Sequence, residues 1–569
     1  MKSTVKNHLD FLYGESAATG VEEAVQGLIR RACDDRPAKA SVKDKPTEAD
    51  STLITYGDQV RAPNRSPLKT LTKFLSARAN GVISAVHVLP FYPSSSDDGF
   101  SVMDYYAVDP ALGNWEDVES LGRNFDLMFD AVFNHASAQG VWFDKFLRQE
   151  PGWETAFFSV SGDPDLSKVV RPRALPLLTE FLTASGTKRA WTTFSADQVD
   201  VNFSDPRMLL RILEVLLFYV GKGARYIRLD AIAFLWKVPG TPSIHLEQTH
   251  RVIQLMRSVL DAVAPDVQLI TETNVPHLDN ISYFGDGSNE AQLVYNFALP
   301  PLVFHTLRTG DATRLRRWAQ TLELPSERVT FFNFLASHDG IGLNPARGIL
   351  DQKEIDGLVQ TALDHNGFVS YKNNPDGTKS PYELNISYFD ALSDPQSAES
   401  PDTQIARFLA AHAIMLALRG LPGIYFHSLF GSRGDRKAAE ESGIPRRINR
   451  KKLDVAELEA ALDDPGSIRA RVFAGIRRMI EARASHPAFS PYAGQHIPEA
   501  PPGLFVTARN AADGGKAICL TNVTPAELSC TLPPHDGAKW EPLTGLPEAI
   551  SSGQAVRLPP YGIAWFAAA

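Results

Sequence analysis

The chain has 569 residues, more than one compact domain usually holds, so two or three domains are expected, one of them large enough to be a barrel. With 44% hydrophobic and 22% charged residues it has apolar material to bury, which excludes intrinsic disorder over most of its length. A formal charge of −9, from 57 Lys+Arg against 66 Asp+Glu, argues against a polyanion-binding surface over the whole molecule but leaves room for a local basic pocket.

Residues 1–50 read as an N-terminal helical extension. The apolar spacing Leu9, Leu12, Tyr13 and then Val21, Val25, Leu28, Ile29 predicts two short amphipathic helices. The first residues, MKSTVKNHLDFLYG, lack an apolar run followed by a cleavage signal. From residue 51 short strand-like runs alternate with helical patterns. Strands are predicted at 53–56, 85–89, 127–132, 226–230, 269–272, 293–297, 329–335 and 423–426, with helices such as 207–219 and 243–264 between them. Eight strands alternating with helices predict a closed parallel (β/α)₈ TIM barrel over residues 51–490. A doubly wound sheet is the alternative, but no glycine-rich phosphate loop follows the first strand. The body exceeds the roughly 250 residues of a plain barrel. The excess falls near 136–205 and 340–405, both rich in Pro, Gly, Asp and Ser, as long βα-loop insertions are. The apolar stretch 408–430 is interrupted at Arg419-Gly420 and Pro422, so it reads as helix, turn and strand and not as a membrane span. Residues 491–569 carry short alternating runs between turn residues, which predicts a C-terminal antiparallel β domain.

Three cysteines, Cys33, Cys519 and Cys530, make no disulfide framework and no CxxC motif. A reducing, cytoplasmic location is expected. Neither a basic-aromatic stripe for nucleic acid nor an amphipathic membrane helix is found, so the expected partners are small molecules.

Barrel enzymes carry their chemistry at the C-terminal ends of the strands. There the third strand supplies Asp130, Asn134 and His135, the fourth Arg228 and Asp230, the fifth Glu272, and the seventh His338 and Asp339. Taken singly, an Asp at a strand end is usually a helix cap; together, on four strands of one barrel, these residues suggest a site. Three carboxylates and an arginine suit glycosidic-bond chemistry, where one carboxyl protonates the leaving oxygen and another attacks the anomeric carbon or activates water. Arg228, two residues before Asp230 on the same strand face, is expected to keep Asp230 ionised, and crowding by carboxylates to keep Glu272 protonated. Metal binding is the competing reading of the cluster, but no HxH or HxxE spacing accompanies it, and neither a metal nor any other cofactor is expected.

DAVFNH (130–135), YIRLDA (226–231), TETN (271–274) and ASHD (336–339) resemble, in order, the four conserved regions of the α-amylase superfamily. The resemblance implies Asp230 as nucleophile, Glu272 as general acid/base and Asp339 as transition-state stabiliser, with Arg228, His135 and His338 holding glucose. ITYGDQ, VHVLPFYPSSSDDGFSVMDY, WTTFSADQVDVNF and PRRINRKK look like the sucrose phosphorylase subfamily. SSDDGFSV, RPRALPLLT, TETNVPHLDNISYFG, NFLASHDGIGLNP and NNPDGTKSPYELN resemble its glucosylglycerate-cleaving branch. By carry-over, Asp97 and Arg446 would bind the glucosyl unit and Phe194 would wall the anomeric centre. Asn274, Tyr382 and Glu383 fall where the acceptor sits; Thr273 and Asn274 after Glu272, and Glu383 in place of the Gln that follows the shared Tyr382, depart from the sucrose pattern, which favours a small hydroxylated acid. SPYELN as a plain surface loop is the alternative.

The resemblance implies a retaining phosphorylase that converts 2-O-α-D-glucosyl-D-glycerate and inorganic phosphate, its co-substrate, into α-D-glucose 1-phosphate and D-glycerate. A sucrose phosphorylase or an α-glucoside hydrolase of the same fold would use the same carboxylates. Phosphate needs fixed cations, and arginine forks suit its oxygens. Arg171 and Arg173, flanking Pro172, are the first candidates and Arg433 a weaker one; salt bridges to acidic loop residues are the alternative for the first two.

Overall fold

The computed structural model describes residues 2–35, 44–173, 175–374, 378–533, 539–545, 548–551 and 553–568. Ala174 of the RPRALPLL stretch and residues 375–377 of NNPDGTKS lie outside the described residues.

Two helices open the chain, α1 (Lys2–Tyr13) and α2 (Glu15–Asp35). The second is longer than the apolar spacing suggested. They then give way to eight parallel strands that close into a barrel: β1 (Thr52–Thr55), β2 (Ala85–Val88), β3 (Asp126–Ala131), β4 (Ala224–Leu229), β5 (Gln268–Thr271), β6 (Leu293–Tyr295), β7 (Thr330–Phe334) and β8 (Leu421–Tyr425). Sequential strands are neighbours, and β1 closes the ring by pairing with β8 as well as with β2. Each strand is too short to bury much alone. Buried on both faces, they read as near-continuous apolar runs, as parallel strands do.

The crossovers include α3 (Pro67–Arg78), α4 (Trp115–Gly122), α5 (Pro206–Gly221), α6 (Glu247–Val263), α7 (Leu299–Thr309), α8 (Pro401–Ala417) and, after β8, α9 (Ile468–Ala484). Their starts follow sequence chemistry. Asp205 caps α5 by accepting from the Arg207 N–H at 2.9 Å, and Pro206 follows it at the first turn, where its missing N–H costs nothing. Between β5 and β6 a five-residue helix, His277–Ile281, and a short 3-10 turn, Ser282–Phe284, intervene. The two N-terminal helices lie against α5 and α6. The Tyr13 hydroxyl donates to the Phe203 carbonyl at 2.8 Å, and Val5, Leu9 and Val25 are fully buried.

Both long stretches that exceed a plain barrel carry small antiparallel sheets. The first holds Ser159–Val160, Gly186–Trp191 and Leu178–Thr183, and pairs His135–Ser137 with Gln198–Asp200. The second holds Ile341–Gly342, Lys379–Asn385 and Phe368–Asn373, beside the helix Gln352–Asp364. At the C-terminus a six-stranded antiparallel sheet and a two-stranded ribbon enclose a separate apolar core around Leu520, Trp540, Val556 and Phe566. This β domain is tied to the barrel by Arg509, which donates to the carbonyls of Ala417, Ser490 and Gly494 at 3.0, 2.8 and 3.2 Å. The predicted barrel and C-terminal β domain are thus the observed architecture. Among the described residues no helix is long and apolar enough to cross a membrane.

Candidate active site

A cavity of about 310 Å³ opens where the C-terminal ends of the barrel strands meet the two insertions. Its floor is built on β4. Arg228 and Asp230 are two residues apart and so share a face, and the register sets Arg228 opposite Asp130 on β3. The Arg228 guanidinium donates to Asp130 and, at 2.8 Å, to Asp230; its second terminal nitrogen lies 3.7 Å from Glu272. Asp130 is itself fully buried and paired with His87 at 2.7 Å, so it anchors the arginine from below. Ala231 takes a left-handed conformation, φ +50°, and its N–H donates to Glu272 at 3.2 Å. One guanidinium and one strained backbone turn therefore hold both carboxyls at the same floor.

Burial raises the proton affinity of Asp230 and Glu272 above the ordinary carboxylate range. Arg228 pulls both back, and neighbouring carboxylates, Asp339 among them, push both up. The expectation that Arg228 keeps Asp230 ionised needs correcting, because desolvation is the larger effect. The two groups are best treated as one titrating pair. Asp230 accepts the direct hydrogen bond from Arg228, whereas the nearest cation to Glu272 stands at 3.7 Å. The bond from Arg228 favours the charge on Asp230, and the Ala231 N–H favours it on Glu272.

Asp339 behaves oppositely. Arg446 at 2.7 Å and Arg450 at 3.3 Å outweigh its desolvation and hold its carboxyl well below the usual range. Burial pushes the His338 imidazole down to about 3, so it is neutral, and it stacks on Phe100 with ring centres 4.8 Å apart. His135 is buried and lowered for the same reason, and its Nε2 sits 2.9 Å from the Phe100 carbonyl.

Asp97 and Asp98 both have positive φ, +53° and +46°. Gly99 follows at +115°, where a Cβ would stand 2.7 Å from the Pro90 carbonyl oxygen, so only glycine fits. This strained turn aims Asp97 into the cavity, where it accepts from Arg173 at 2.8 Å and Gln198 at 3.2 Å. Asp97 is held well below its ordinary pKa, since Arg173 and Arg446 overcome its desolvation. Asp98 instead pairs with Arg447 and Arg450, at 3.2 and 2.6 Å.

Of the residues singled out in the sequence, Asp97, His135, Phe194, Asp230, Glu272 and Asn274 line the cavity. So do His338, Asp339, Tyr382, Arg446, Arg171 and Arg173. Arg228 lies directly beneath. Asp130 and Asn134 are fully buried, and Glu383 and Arg433 do not join the lining either. Glu383 is buried and accepts both forks of Arg446, at 3.0 and 2.7 Å. The reason is strand geometry: Tyr382 and Glu383 are consecutive on one strand and point to opposite faces, so only Tyr382 reaches the cavity. Arg433 donates to Asp390 and Gln404, at 2.6 Å each, and the Gly434 N–H also bonds Asp390, which pins that loop away from the cavity. Sequence reading missed Gln198, His245, Asn344, Arg347 and Lys372, all of which line the cavity, and Arg450, which braces Asp339.

Beside the floor a buried ammonium, Lys237, lies 2.8 Å from both Asp200 and Asn134 and supplies positive charge there. Among the described residues no three of His, Cys, Asp and Glu converge as metal ligands.

The family description "Alpha amylase, catalytic domain" matches residues 81–340, the span that holds β2 to β7 and the carboxylates Asp230, Glu272 and Asp339. A glucosylglycerate phosphorylase of Allomeiothermus silvanus is 53% identical over 92% of this chain and 93% of its own. The chain belongs to the glucosylglycerate phosphorylase family. A glucosylglycerate phosphorylase of Escherichia coli K12 is 47% identical over 92% of this chain and 93% of its own. The solved sucrose 6F-phosphate phosphorylase from Thermoanaerobacter thermosaccharolyticum superposes with a TM-score of 0.72 at 24% identity, covering 84% of this chain and 94% of that one, and shares the fold. The matches to the two glucosylglycerate phosphorylases thus extend over nearly the whole of each chain.

Proposed function

We propose that the chain catalyses the reversible phosphorolysis of 2-O-α-D-glucosyl-D-glycerate to α-D-glucose 1-phosphate and D-glycerate, with retention. One observation carries this reading. Arg228 touches both Asp230 and Glu272 at the base of a cavity whose walls carry arginines from an insertion.

In the first displacement the Asp230 carboxylate attacks the anomeric carbon while Glu272 gives its proton to the leaving glycerate oxygen. The glucosyl–oxygen bond breaks and a glucosyl ester forms on Asp230. In the second, phosphate attacks the same carbon, Glu272 takes the proton from the attacking phosphate oxygen, and the ester bond breaks. Asp339, held ionised by Arg446 and Arg450, opposes the positive charge that develops on the sugar ring. Asp97 and Arg446 grip glucosyl hydroxyls, helped by His135 and His338, which are neutral and able both to donate and to accept. Phe194 forms an apolar wall against His135, at 5.2 Å.

Phosphate rather than water completes the reaction because Arg171 and Arg173 concentrate an anion at the cavity. Arg173 is held by Asp97 and stacks over Phe194 at 5.7 Å, so it is pre-positioned beside the sugar site. The cavity needs no metal or organic cofactor for these steps. Three unpaired cysteines suit a reducing cytoplasm.

A substrate panel with phosphate, read as glucose 1-phosphate released, tests the reading. Glucosylglycerate should be cleaved at least tenfold faster than sucrose, and the rate should collapse without phosphate. Release from sucrose alone, or glucose release independent of phosphate, would overturn it.

A further inference from the structure

The cavity receives cations from two separate insertions: Arg171 and Arg173 from the first, Arg347 and Lys372 from the second. The second pair has no role in the steps above. Arg347 follows the short turn Asn344–Ala346 and donates one terminal nitrogen to the Pro381 carbonyl at 3.0 Å. Its Nε is buried and has no hydrogen-bond partner among the described residues. Lys372 lies on the strand Phe368–Asn373, and no carboxylate among the described residues pairs with its ammonium. Burial and the charge of Arg347 both work against its protonated form. Two like charges facing a cavity without a counter-ion are unfavourable, and an anion between them relieves both.

The neutral groups around the pair carry the second half of the pattern. Asn274 and Asn344 line the same cavity, and each has a buried side-chain oxygen with no donor among the described residues. Asn274 follows Glu272 by two residues, so it stands at the strand end that carries the proton donor. A cation pair beside two vacant acceptors suits a ligand with one carboxylate and neighbouring hydroxyls. Phosphate, an acceptor on nearly every edge, would leave both amide oxygens poorly matched.

We infer that Arg347 and Lys372 hold the carboxylate of the glycerate acceptor, with Asn274 and Asn344 accepting from its hydroxyls, in a site distinct from the Arg171–Arg173 cations that meet phosphate. This rests on the glucosylglycerate reading above and assigns the charge recognition within it.

The experiment runs the reaction in the synthetic direction, from glucose 1-phosphate, with D-glycerate and with glycerol as acceptors. Arg347→Gln and Lys372→Met are compared with the unaltered enzyme, and Lys372→Arg is the rescue variant. Each loss of charge should lower kcat/KM for glycerate at least tenfold more than for glycerol, and Lys372→Arg should restore most of the difference. With α-glucosyl fluoride as donor, the KM for phosphate should shift less than the KM for glycerate. Parallel losses on glycerate and glycerol, or a phosphate KM that rises as much as that for glycerate, would overturn the assignment. An unaltered enzyme that ignores glycerate would instead show that the underlying reading fails.

Discussion

At the scale of single residues, the floor of the cavity sets two proton affinities against each other. The proposed mechanism needs Asp230 ionised and Glu272 protonated, and burial raises both above the roughly 4 of a free carboxyl. As pH falls, Asp230 takes a proton earlier than a free aspartate would, so the acid limb of kcat/KM lies closer to neutral. As pH rises, Glu272 keeps its proton longer, so the alkaline limb is also displaced upward. Glu272→Gln separates the two. With glucosylglycerate the rate should fall about 10²–10⁴-fold, because the leaving oxygen loses its acid. With α-glucosyl fluoride, whose leaving group needs little help, activity should survive, the alkaline limb should vanish and the acid limb should stay in place, since Glu272 is already neutral when Asp230 takes its proton. A pH–rate profile on the two donors reads all three effects. An alkaline limb that persists in the variant would assign it to another group. Residue chemistry at this floor was legible because Asp130, Arg228, Asp230, Glu272 and Asp339 sit at or just beyond strand ends. Glu383 and Arg433 were misread because nothing in their local sequence says which way a side chain on an insertion strand or a loop turns.

At the scale of elements, all eight barrel strands fall within a residue or two of their predicted positions. Continuous burial explains this: Leu53, Val86, Phe129, Ile227, Leu269 and Leu293 are apolar because both sheet faces are covered. The insertion sheets were not legible. Leu178–Thr183 and Gly186–Trp191 are mostly half-buried or exposed, so little hydrophobic alternation marks them. The N-terminal helices show the reverse case, where apolar spacing alone sufficed. Val25 and Leu9 are fully buried and belong to the same core as α5 and α6. Val25→Asp would bury an unpaired carboxylate and should cost about 3 kcal/mol or more. The melting temperature should drop while kcat/KM at 25 °C stays within twofold, because neither helix lines the cavity. A loss of activity without a loss of stability would mean that the extension does more than cover the barrel.

For the whole molecule, the formal charge of −9 and the anionic substrates point in opposite directions. The resolution lies in distance. Fields of exposed charges are screened beyond about 10 Å at 0.1 M salt, whereas arginines at a partly enclosed cavity act on a ligand they touch. On the proposed reading, what phosphate meets is therefore set by Arg171 and Arg173 and not by the sum over the surface. Glu23, Glu116, Glu323 and Glu548 are exposed and stand outside the cavity. Reversing all four to lysine adds two charges each and brings the formal total from −9 to −1. The KM for phosphate, measured at 0.1 M salt with α-glucosyl fluoride, should change less than twofold. Arg173→Ala alone, which alters the total by a single charge, should raise it about tenfold or more, because a charge-assisted contact of roughly 1.5–3 kcal/mol is lost. It should also affect glucosyl-enzyme formation less than it affects phosphate use. If the four surface reversals lowered the phosphate KM as strongly as the arginine substitution raised it, net charge would govern anion capture, and the local cations would be only one contribution among many.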